Sequence, residues 1–566
     1  MNTSNKRWRL LAILAVFAMV IAACGGDGDD TTTTGDPGDG TTAPPTDTTA
    51  PPTDTTAPPA MGGTVRGSLS EPPAIDPQLV SDSEGFEVAR LLFDGLTLYD
   101  PAGGAVVPGA AESWEPNEDN TVWTFHLREG MTFSDGSPVT AQSFVDGFNR
   151  LADPDLGSSV EYHGGSHGAH ILGWDDISTG EGTGEVGDEQ VEGIAAVDDL
   201  TFQLTLDSPL SFVPKIVAHP AFSPINPDLV NADGWADMPV GNGPYQMSEP
   251  WQHEVSISLE RNESYYGTPG APDVVEFLII GDPVAEYQAL LDGQIDVLAI
   301  GDSALIDQAK GDYENFTELP TGSFGYLGFP TATPPYDNPE MRQALVQAVD
   351  REAIATRILQ RQVANGFVPP VATGAVDGLE TCPACAYDPE AAKATYDSLG
   401  GIPGGQAVIS FNAGGGHEDW IEAVANDWTN NLGLQVEFMT LEWAAYLEFL
   451  GLTGGPKPIE PFRLGWLWDY PSAYNFLAPL YYTDSGDNFA SYSNPEFDAL
   501  IDSAASAPTE EDAIPFLEDA QELLGQEVPV MPISYGLAQY MWNDNVDNVA
   551  YNDFGFFLWE NITSTG

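Results

Sequence analysis

Lysine is scarce in this sequence of 566 residues, and cations as a whole are few. Five residues are lysine, and lysine and arginine together number 17 against 86 aspartates and glutamates. Binding to phosphates needs a basic surface, so this balance excludes nucleic acid as a partner. A surface this acidic is typical of a solvated coat, and it also fits a preference for cationic ligands.

Cysteine is also rare, with three residues in the chain, and the first of them closes an export signal. Three cations precede the apolar run 10–20, whose eleven residues are too few to span a membrane. The run ends in Ala22-Ala23-Cys24, which resembles a bacterial lipoprotein signal. We therefore expect residues 1–23 to be a signal peptide and Cys24 to carry the lipid that anchors the chain to the outer face of the cell membrane.

The segment that follows has a single large apolar side chain, that of Met61 at its end. Residues 24–61 contain the unit TTAPPTD at 41–47 and again at 48–54. Threonine, proline, aspartate and glycine cannot bury a core, so we predict a disordered tether between the membrane and the folded part.

The other two cysteines, Cys382 and Cys385, lie in the sequence TCPACAYDP. In an exported protein such a pair favours a local disulfide in a turn. A metal site needs a second pair or adjacent histidines, and neither stands beside these cysteines.

The folded part alternates strand and helix patterns. Trp123, Phe125 and Leu127 alternate with smaller or polar residues, which predicts a half-buried strand. Thr140 is a suitable N-cap for a helix over 141–151. Repeated alternation of this kind predicts α/β layers.

Aromatic residues and one charge of each sign concentrate in residues 461–477, PFRLGWLWDYPSAYNFL. Pro471 excludes a regular helix through the middle, so the segment is predicted to be extended. Asp469 would take an ammonium and Arg463 a carboxylate, which predicts a site for a small zwitterion. A buried aromatic strand whose arginine and aspartate pair with each other, or face water, explains the same residues.

Several stretches, in order, resemble the family 5 extracellular solute-binding proteins of ABC importers. They include FSDGSPVTAQSFVDGFNRLADP, PVGNGPYQM, ALLDGQIDVL, NPEMRQALVQAVDREAI and SYSNPEFDALIDSA. The resemblance implies an α/β fold of the type II periplasmic-binding-protein class, with two lobes, a central cleft and a third domain inserted in the first lobe. The expected boundaries are 62–85, 191–320 and 530–566 for lobe I, 86–190 for the inserted domain, and 321–529 for lobe II.

Residues 463–470, RLGWLWDY, are similar to the cleft segment Arg-x-Gly-Trp-x-x-Asp-Tyr of the oligopeptide-binding branch. The resemblance implies that Asp469 pairs with the amino terminus of a short peptide and that Arg463 meets a carboxylate. The remaining expected ligand contacts, through backbone or side chain, are Gly465, Trp466, Leu467, Tyr470, Ser70 and Glu71.

The implied function is a monomeric receptor, not an enzyme, which needs no cofactor and delivers oligopeptides to the permease subunits of an ABC importer. A receptor for another solute, such as a nickel chelate or a sugar, and an exported hydrolase stay as alternatives. The histidines of YHGGSHGAH, at positions 163, 167 and 170, could hold a metal, but their glycine neighbours favour an exposed loop instead.

Overall fold

The computed structural model describes residues 62–565 apart from 101–102, 166–167, 181, 183–185, 187–189, 301–302, 313, 377, 414–415 and 452–456. The expected signal peptide, the tether, Cys24 and His167 lie outside the described residues.

The strands of the described part are β1 (Thr64–Leu69), β2 (Thr97–Tyr99), β3 (Val106–Pro108), β4 (Ala111–Pro116), β5 (Val122–Leu127), β6 (Ile194–Asp198), β7 (Thr201–Thr205), β8 (Tyr245–Met247), β9 (Ser256–Arg261), β10 (Val274–Ile279), β11 (Val297–Ala299), β12 (Phe316–Gly328), β13 (Gln362–Val363), β14 (Gln406–Asn412), β15 (Gln435–Leu441), β16 (Phe462–Leu467), β17 (Val530–Trp542), β18 (Val546–Asp547) and β19 (Thr563–Ser564).

The α-helices are α1 (Ser83–Leu92), α2 (Ala141–Ala152), α3 (Trp174–Ser178), α4 (Val213–Ile216), α5 (Pro227–Val230), α6 (Pro283–Leu291), α7 (Ser303–Asp312), α8 (Pro339–Gln347), α9 (Arg351–Ala353), α10 (Pro389–Ser398), α11 (Glu418–Asp427), α12 (Trp443–Leu450), α13 (Tyr474–Tyr481), α14 (Pro495–Ala505) and α15 (Glu510–Glu527). Single π-helical turns follow α9 and α11, at Ile354–Ile358 and Trp428–Leu432.

Helix starts follow from short polar caps. The side chain of Asn338 accepts a hydrogen bond from the N–H of Glu340 at the start of α8, and Asp388 caps α10 in the same way through Ala391. A proline occupies the first turn of both helices, where its missing N–H leaves no bond unmade.

Two sheets form the main layers of the molecule. The first has the order β1-β10-β9-β8, and β1 and β10 run parallel. The second has the order β11-β17-β12-β16-β14-β15, with β13 added beside β17. Each sheet packs in its own core, the first around Val65, Leu259 and Phe277 and the second around Phe324, Tyr326 and Tyr535.

The long strands β12 and β17 join these two cores. They pair antiparallel from Phe316 opposite Met541 to Gly328 opposite Val530. At one end Tyr540 packs in the core of the first sheet, and at the other end Tyr326 packs in that of the second. The second sheet therefore reaches into both halves of the molecule through continuous backbone.

A third sheet, also of four strands, has the order β4-β5-β7-β6 and is antiparallel throughout. Helix α2 packs on it through Phe144 and Phe148, whose rings contact Phe202. The sheet takes strands from both sides of residue 190, where we placed the end of the inserted domain. The pairing favours a boundary after β7, whereas α1 packs in the core of the first sheet.

Candidate ligand-binding site

The aromatic segment forms β16 and the turn that follows it, as its proline predicts. β16 lies in the second sheet, antiparallel to β12, with Gly465 opposite Gly325 and Leu467 opposite Ser323. The N–H of Trp468 donates to the carbonyl of Gly322 at 3.1 Å, so the extended pairing continues one residue past the strand.

One face of the sheet carries small side chains or none at this point. Residues opposite each other in a ladder point to the same face, so Gly465 and Gly325 share a face with Arg463. On the next strand Gly536, which pairs with Thr321, continues this face. A Cβ atom on Gly536 would lie 2.2 Å from the Oγ1 atom of Thr321, so no side chain fits there. We call Gly465, Gly325 and Gly536 the glycine floor.

The edge of β16 beside this floor is open. Within the described residues, β14 pairs with β16 only where Ser410 meets Phe462. Antiparallel pairing directs the N–H and C=O groups of alternate residues to opposite edges, and the bond from Trp468 fixes which residues face β12. The backbone groups of Gly465 and Leu467 therefore point to the open edge, where an extended ligand could pair with them.

Asp469 ends this segment as a half-buried carboxylate without a cation. Tyr162 donates its hydroxyl to Oδ1 at 3.0 Å, and Asn475 donates its amide N–H to Oδ2 at 2.9 Å. Asp469 forms no ion pair with any residue that the structure describes. Burial raises the pKa of Asp469, while the two hydrogen bonds oppose that rise. The site thus holds a carboxylate that a positive group on a ligand would stabilise.

Asn475, on α13, fixes the geometry of this carboxylate and is 4% exposed. Its Oδ1 atom accepts the backbone N–H of Asp469 at 2.7 Å and the indole N–H of Trp466 at 3.4 Å. One amide thereby orients the anion and the aromatic ring next to it. No sequence pattern marks Asn475 beyond its place six residues after the aspartate, and none marks Tyr162, which is distant in the chain.

Arg463 is 9% exposed and does not pair with Asp469. Its Nη1 atom donates a hydrogen bond to Oδ1 of Asn412 at 3.1 Å. Burial is the main reason that its pKa falls to about 10, and the positive charge of Arg361 adds to the fall. The alternative in which the arginine and the aspartate of this strand neutralise each other is therefore wrong.

The aromatic side chains divide between the site and the core. Trp466 and Leu467 are half-buried, whereas Trp468 and Tyr470 are 3% and 5% exposed and belong to the core. A Cβ atom on Gly322 would fall on the ring of Trp468, so the two pack without a gap. Trp466 is consequently the tryptophan of this segment with surface left for a ligand.

A buried lysine anchors the turn after Asp469. Lys215, on α4, donates to the carbonyl of Pro471 at 2.8 Å, to the hydroxyl of Thr373 at 3.0 Å and to a carboxylate oxygen of Glu510 at 2.6 Å. Its side chain is 3% exposed. No local pattern in the sequence marks this lysine, because its partners lie more than a hundred positions away.

Ser70 and Glu71 follow β1 in the first sheet. The carboxylate of Glu71 accepts the N–H of Glu254 at 2.9 Å and contacts Nδ1 of His253 at 2.8 Å. Glu71 is exposed and committed to these partners. The structure thus brings Arg463, Gly465, Trp466, Leu467 and Asp469 together on one segment, while the side chain of Glu71 is engaged elsewhere.

The histidine-rich segment is not the exposed loop that its glycines predict. His163 is 4% exposed in a 3-10 turn, and burial lowers its pKa to about 3. A Cβ atom on Gly164 would lie 2.3 Å from the ring of Trp174. The glycines permit close packing here rather than mobility. The described residues contain no group of three or more His, Cys, Asp or Glu side chains suited to a metal ion.

Cys382 and Cys385 form the expected disulfide within one turn. In the described part of the chain, no helix combines the length and the apolar character that crossing a membrane requires.

The chain is similar in sequence to known binding proteins. The family described as bacterial extracellular solute-binding proteins, family 5 (middle region), matches residues 105–488. The oligopeptide-binding protein OppA of Bacillus subtilis is 27% identical over 582 residues, covering 98% of this chain and 99% of that protein. The probable deoxycholate-binding periplasmic protein YgiS of Escherichia coli is 28% identical and covers 82% of this chain and 86% of its own length.

Among solved structures, the unliganded open form of the periplasmic murein tripeptide-binding protein MppA matches with a TM-score of 0.77 and 25% identity. It covers 89% of this chain and 97% of the other. The expected type II periplasmic-binding-protein fold is thereby confirmed.

Proposed function

Because the chain belongs to family 5 of the bacterial extracellular solute-binding proteins, we propose that it is a receptor that binds short peptides and delivers them to an ABC importer. The observation that carries the proposal is Asp469, a carboxylate without a cation at the end of an open strand edge. An α-ammonium group supplies the missing charge, and three N–H donors suit the two carboxylate oxygens.

The peptide lies antiparallel to β16 in this proposal. Its ammonium pairs with Asp469, its backbone bonds to Gly465 and Leu467, and its carboxylate meets Arg463. Six residues of strand span about 20 Å, a length that an extended peptide of about six residues covers. Fewer residues suffice where the arginine side chain reaches towards the ligand. Contacts with the ligand backbone do not depend on side-chain identity, which supports binding of many sequences.

The alternatives fit the site less well. A bile acid such as the one in the name of YgiS, or a sugar, has no cation for Asp469. For a nickel chelate, the described residues offer no cluster of metal-ligating side chains. Residues 164–168 read Gly-Gly-Ser-His-Gly and so fit the Gly-x-Ser-x-Gly pattern of hydrolases. That pattern requires a strand before its serine, and here a 3-10 turn, Glu161–Gly164, precedes it. We therefore propose binding without chemistry.

Closure of two lobes on the ligand is the proposed motion. Lobe I takes the first sheet, lobe II takes most of the second, and β12 and β17 connect them. The similarity to an unliganded open form supports an open conformation for the chain without ligand. Ligand that contacts both lobes would shift the population towards the closed form.

We also propose that Cys24 carries a lipid anchor, that residues 24–61 hold the folded part away from the membrane, and that the receptor works as a monomer beside its permease. The export signal in the sequence supports the outer face of the cell membrane as its location. Mass spectrometry of the chain purified from membranes checks this: a mature amino terminus other than an acylated Cys24 would exclude the anchor.

The peptide proposal is tested by titration calorimetry with a free peptide and its N-acetylated form, on the wild type and on Asp469→Asn. Acetylation removes the ammonium, so we expect it to weaken wild-type binding by about 2–4 decades and to change binding by Asp469→Asn much less. Equal penalties for acetylation in both proteins would contradict the role of Asp469. Native mass spectrometry of the purified protein adds an independent check, because co-purifying short peptides are expected and a single sugar or metal chelate would overturn the proposal.

A further inference from the structure

A continuous arc of aromatic rings begins at the carboxylate of Asp469. Tyr162 donates its hydroxyl to Oδ1 of Asp469 at 3.0 Å, and its ring centroid lies 4.2 Å from that of His163. The ring of His163 lies 4.4 Å from that of His219. His219 in turn meets the ring of Phe86 edge-on, with the centroids 5.2 Å apart. The arc thus leads from the carboxylate to helix α1, which carries Phe86.

From Phe86 the arc returns to Asp469 by a second route. Phe554 stacks on Phe86 with the centroids 5.8 Å apart, and Tyr99 lies 4.7 Å from Phe554. The hydroxyl of Tyr99 donates to the main-chain carbonyl of Asp469 at 3.3 Å. Phe554 also lies 5.5 Å from the ring of Trp468, the residue before Asp469. The two routes therefore place an aromatic wall next to the carboxylate that is proposed to bind the peptide ammonium.

A tight turn near the end of the chain holds two phenylalanines in this wall. Phe554 and Phe556 lie on either side of Gly555, whose φ of 89° is in the left-handed region that favours glycine. Oδ1 of Asn552 accepts the backbone N–H groups of both phenylalanines, at 3.1 and 3.0 Å. Tyr540 donates its hydroxyl to the carbonyl of Gly555 at 2.6 Å. The two rings are therefore presented by a hydrogen-bonded turn.

Three phenylalanines of the wall have surface left for a ligand. Phe86, Phe554 and Phe556 are half-buried. Their rings are nearly parallel, with 18° between Phe86 and Phe556 and 10° between Phe554 and Phe556. Neither Phe86 nor Phe556 packs in a hydrophobic core of the described residues. We call these three side chains the phenylalanine face. Covering such an apolar surface is favourable, because it removes the surface from water.

We propose that the phenylalanine face receives the first side chain of a bound peptide, so that the preferred peptides begin with an aromatic or a large aliphatic residue. This inference rests on the proposed peptide-binding function. The first side chain leaves the Cα atom that carries the ammonium. It is therefore the ligand side chain nearest to Asp469 and to the wall that Tyr99 and Tyr162 join to that aspartate.

The wall offers an apolar side chain contact and offers a charged one no partner. Burial lowers the pKa of His163 to about 3 and that of His219 well below its ordinary value, so both rings are neutral at neutral pH. A charged side chain placed against the phenylalanine face would lose hydration without gaining an ion pair. An apolar side chain loses no such hydration, and an aromatic one adds ring stacking to the burial of its surface.

Titration calorimetry with two peptides that differ only in the first residue, phenylalanine or asparagine, tests the inference. Burial of a phenylalanine side chain predicts that the wild type binds the phenylalanine peptide about 10- to 100-fold more tightly. Phe86→Gln and Phe556→Gln each remove part of the phenylalanine face, so each variant is expected to lose part of that ratio and the double variant most of it. Phe86→Leu keeps an apolar side chain and should keep most of the ratio.

Phe438→Gln is the matched control, because Phe438 is 46% exposed on β15, the edge strand of the second sheet. Its ratio is expected to equal that of the wild type. Thermal unfolding shows whether each variant is folded, and the wild-type ratio does not depend on the variants. Equal wild-type affinities for the two peptides, or an unchanged ratio in the folded variants of Phe86 and Phe556, overturn this inference and leave peptide binding intact. Failure of the wild type to bind either peptide overturns the proposed function, and the inference with it.

Discussion

One buried aspartate–arginine pair, Asp76 with Arg150, contrasts with the buried Arg463 and the half-buried Asp469, which are not paired with each other. Asp76 accepts hydrogen bonds from Nη1 and Nη2 of Arg150 at 2.8 and 2.7 Å, and from the indole N–H of Trp235 at 2.6 Å. Asp469 and Arg463 lie six residues apart on one segment, yet neither has an ion-pair partner among the residues described.

The difference teaches where the missing partners must come from. A buried charge without a partner lowers stability, so it persists only where something else selects for it. The Asp76 pair joins the loop after β1 to α2 and is complete within the chain. In the proposed function, a ligand brings the opposite charges that Asp469 and Arg463 lack. On that proposal the first pair serves folding and the second set of charges serves binding.

Asp76→Asn and Asp469→Asn test this contrast most directly, because each substitution removes one carboxylate. Asp76→Asn leaves Arg150 buried without its anion, so we expect the free energy of unfolding to fall by about 3–5 kcal/mol with peptide affinity of the folded protein kept. Asp469→Asn is expected to weaken peptide binding by a similar free energy and to leave the ligand-free protein at least as stable. Urea unfolding and calorimetry measure both effects. A large loss of stability in Asp469→Asn would make its role structural.

Substitution of the two arginines, Arg463 and Arg150, tests the same contrast, with smaller expected effects on binding and stability. Arg463→Gln is expected to weaken binding of a peptide with a free carboxyl terminus by about 1.5–3 kcal/mol, and to change binding of the amidated peptide little. Arg150→Gln is expected to lower the free energy of unfolding without distinguishing the two peptides. Loss of both peptides equally in Arg463→Gln would assign the arginine to the fold.

The pH dependence of peptide affinity and of stability tests the role of Asp469 next. Burial raises the pKa of Asp469, so its ionised form is disfavoured in the ligand-free protein. Affinity for a peptide ammonium should therefore fall, by up to about tenfold per pH unit, as pH drops through that raised value. The sign reverses for stability, since the ligand-free wild type should lose stability relative to Asp469→Asn as pH rises through the same range. Calorimetry and thermal unfolding from about pH 4, near the ordinary pKa of an aspartate, up to neutral pH check both signs. An affinity of Asp469→Asn that varies with pH as the wild type does would contradict the assignment.

Neutral donors give the smallest effect. Tyr162→Phe removes the hydroxyl that donates to Asp469, and Trp235→Phe removes the indole N–H that donates to Asp76. A single hydrogen bond contributes about 0.5–1.5 kcal/mol, so Tyr162→Phe should weaken peptide binding by about two- to tenfold, and Trp235→Phe should lower stability instead. An unchanged affinity in Tyr162→Phe, measured by the same calorimetry, would mean that this bond does not support the binding carboxylate.

Local chemistry made much of the fold predictable. The alternation around Phe125 became β5, and α2 starts at Ala141 after its Thr140 cap. The cleft segment could be located because Arg463 and Asp469 stand within one short motif. Such signals act between neighbours in the sequence, where propensity and capping operate.

Much of the site could not be predicted, because its parts meet only after folding. Tyr162 and Lys215 reach the turn around Asp469 from more than 200 positions away. The glycines beside His163 predict a flexible loop from the sequence, whereas in the structure they allow close packing.

The continuity of β12 and β17 has a consequence for how the molecule comes apart. Multidomain proteins often melt in separate steps, because each domain holds its own core. Here the same two strands contribute side chains to both cores and carry two of the three glycines of the floor. Unravelling one lobe would strip hydrogen bonds from strands that the other needs. We therefore expect the protein to unfold as one cooperative unit. Unfolding of either lobe would also remove the surface that binds the peptide.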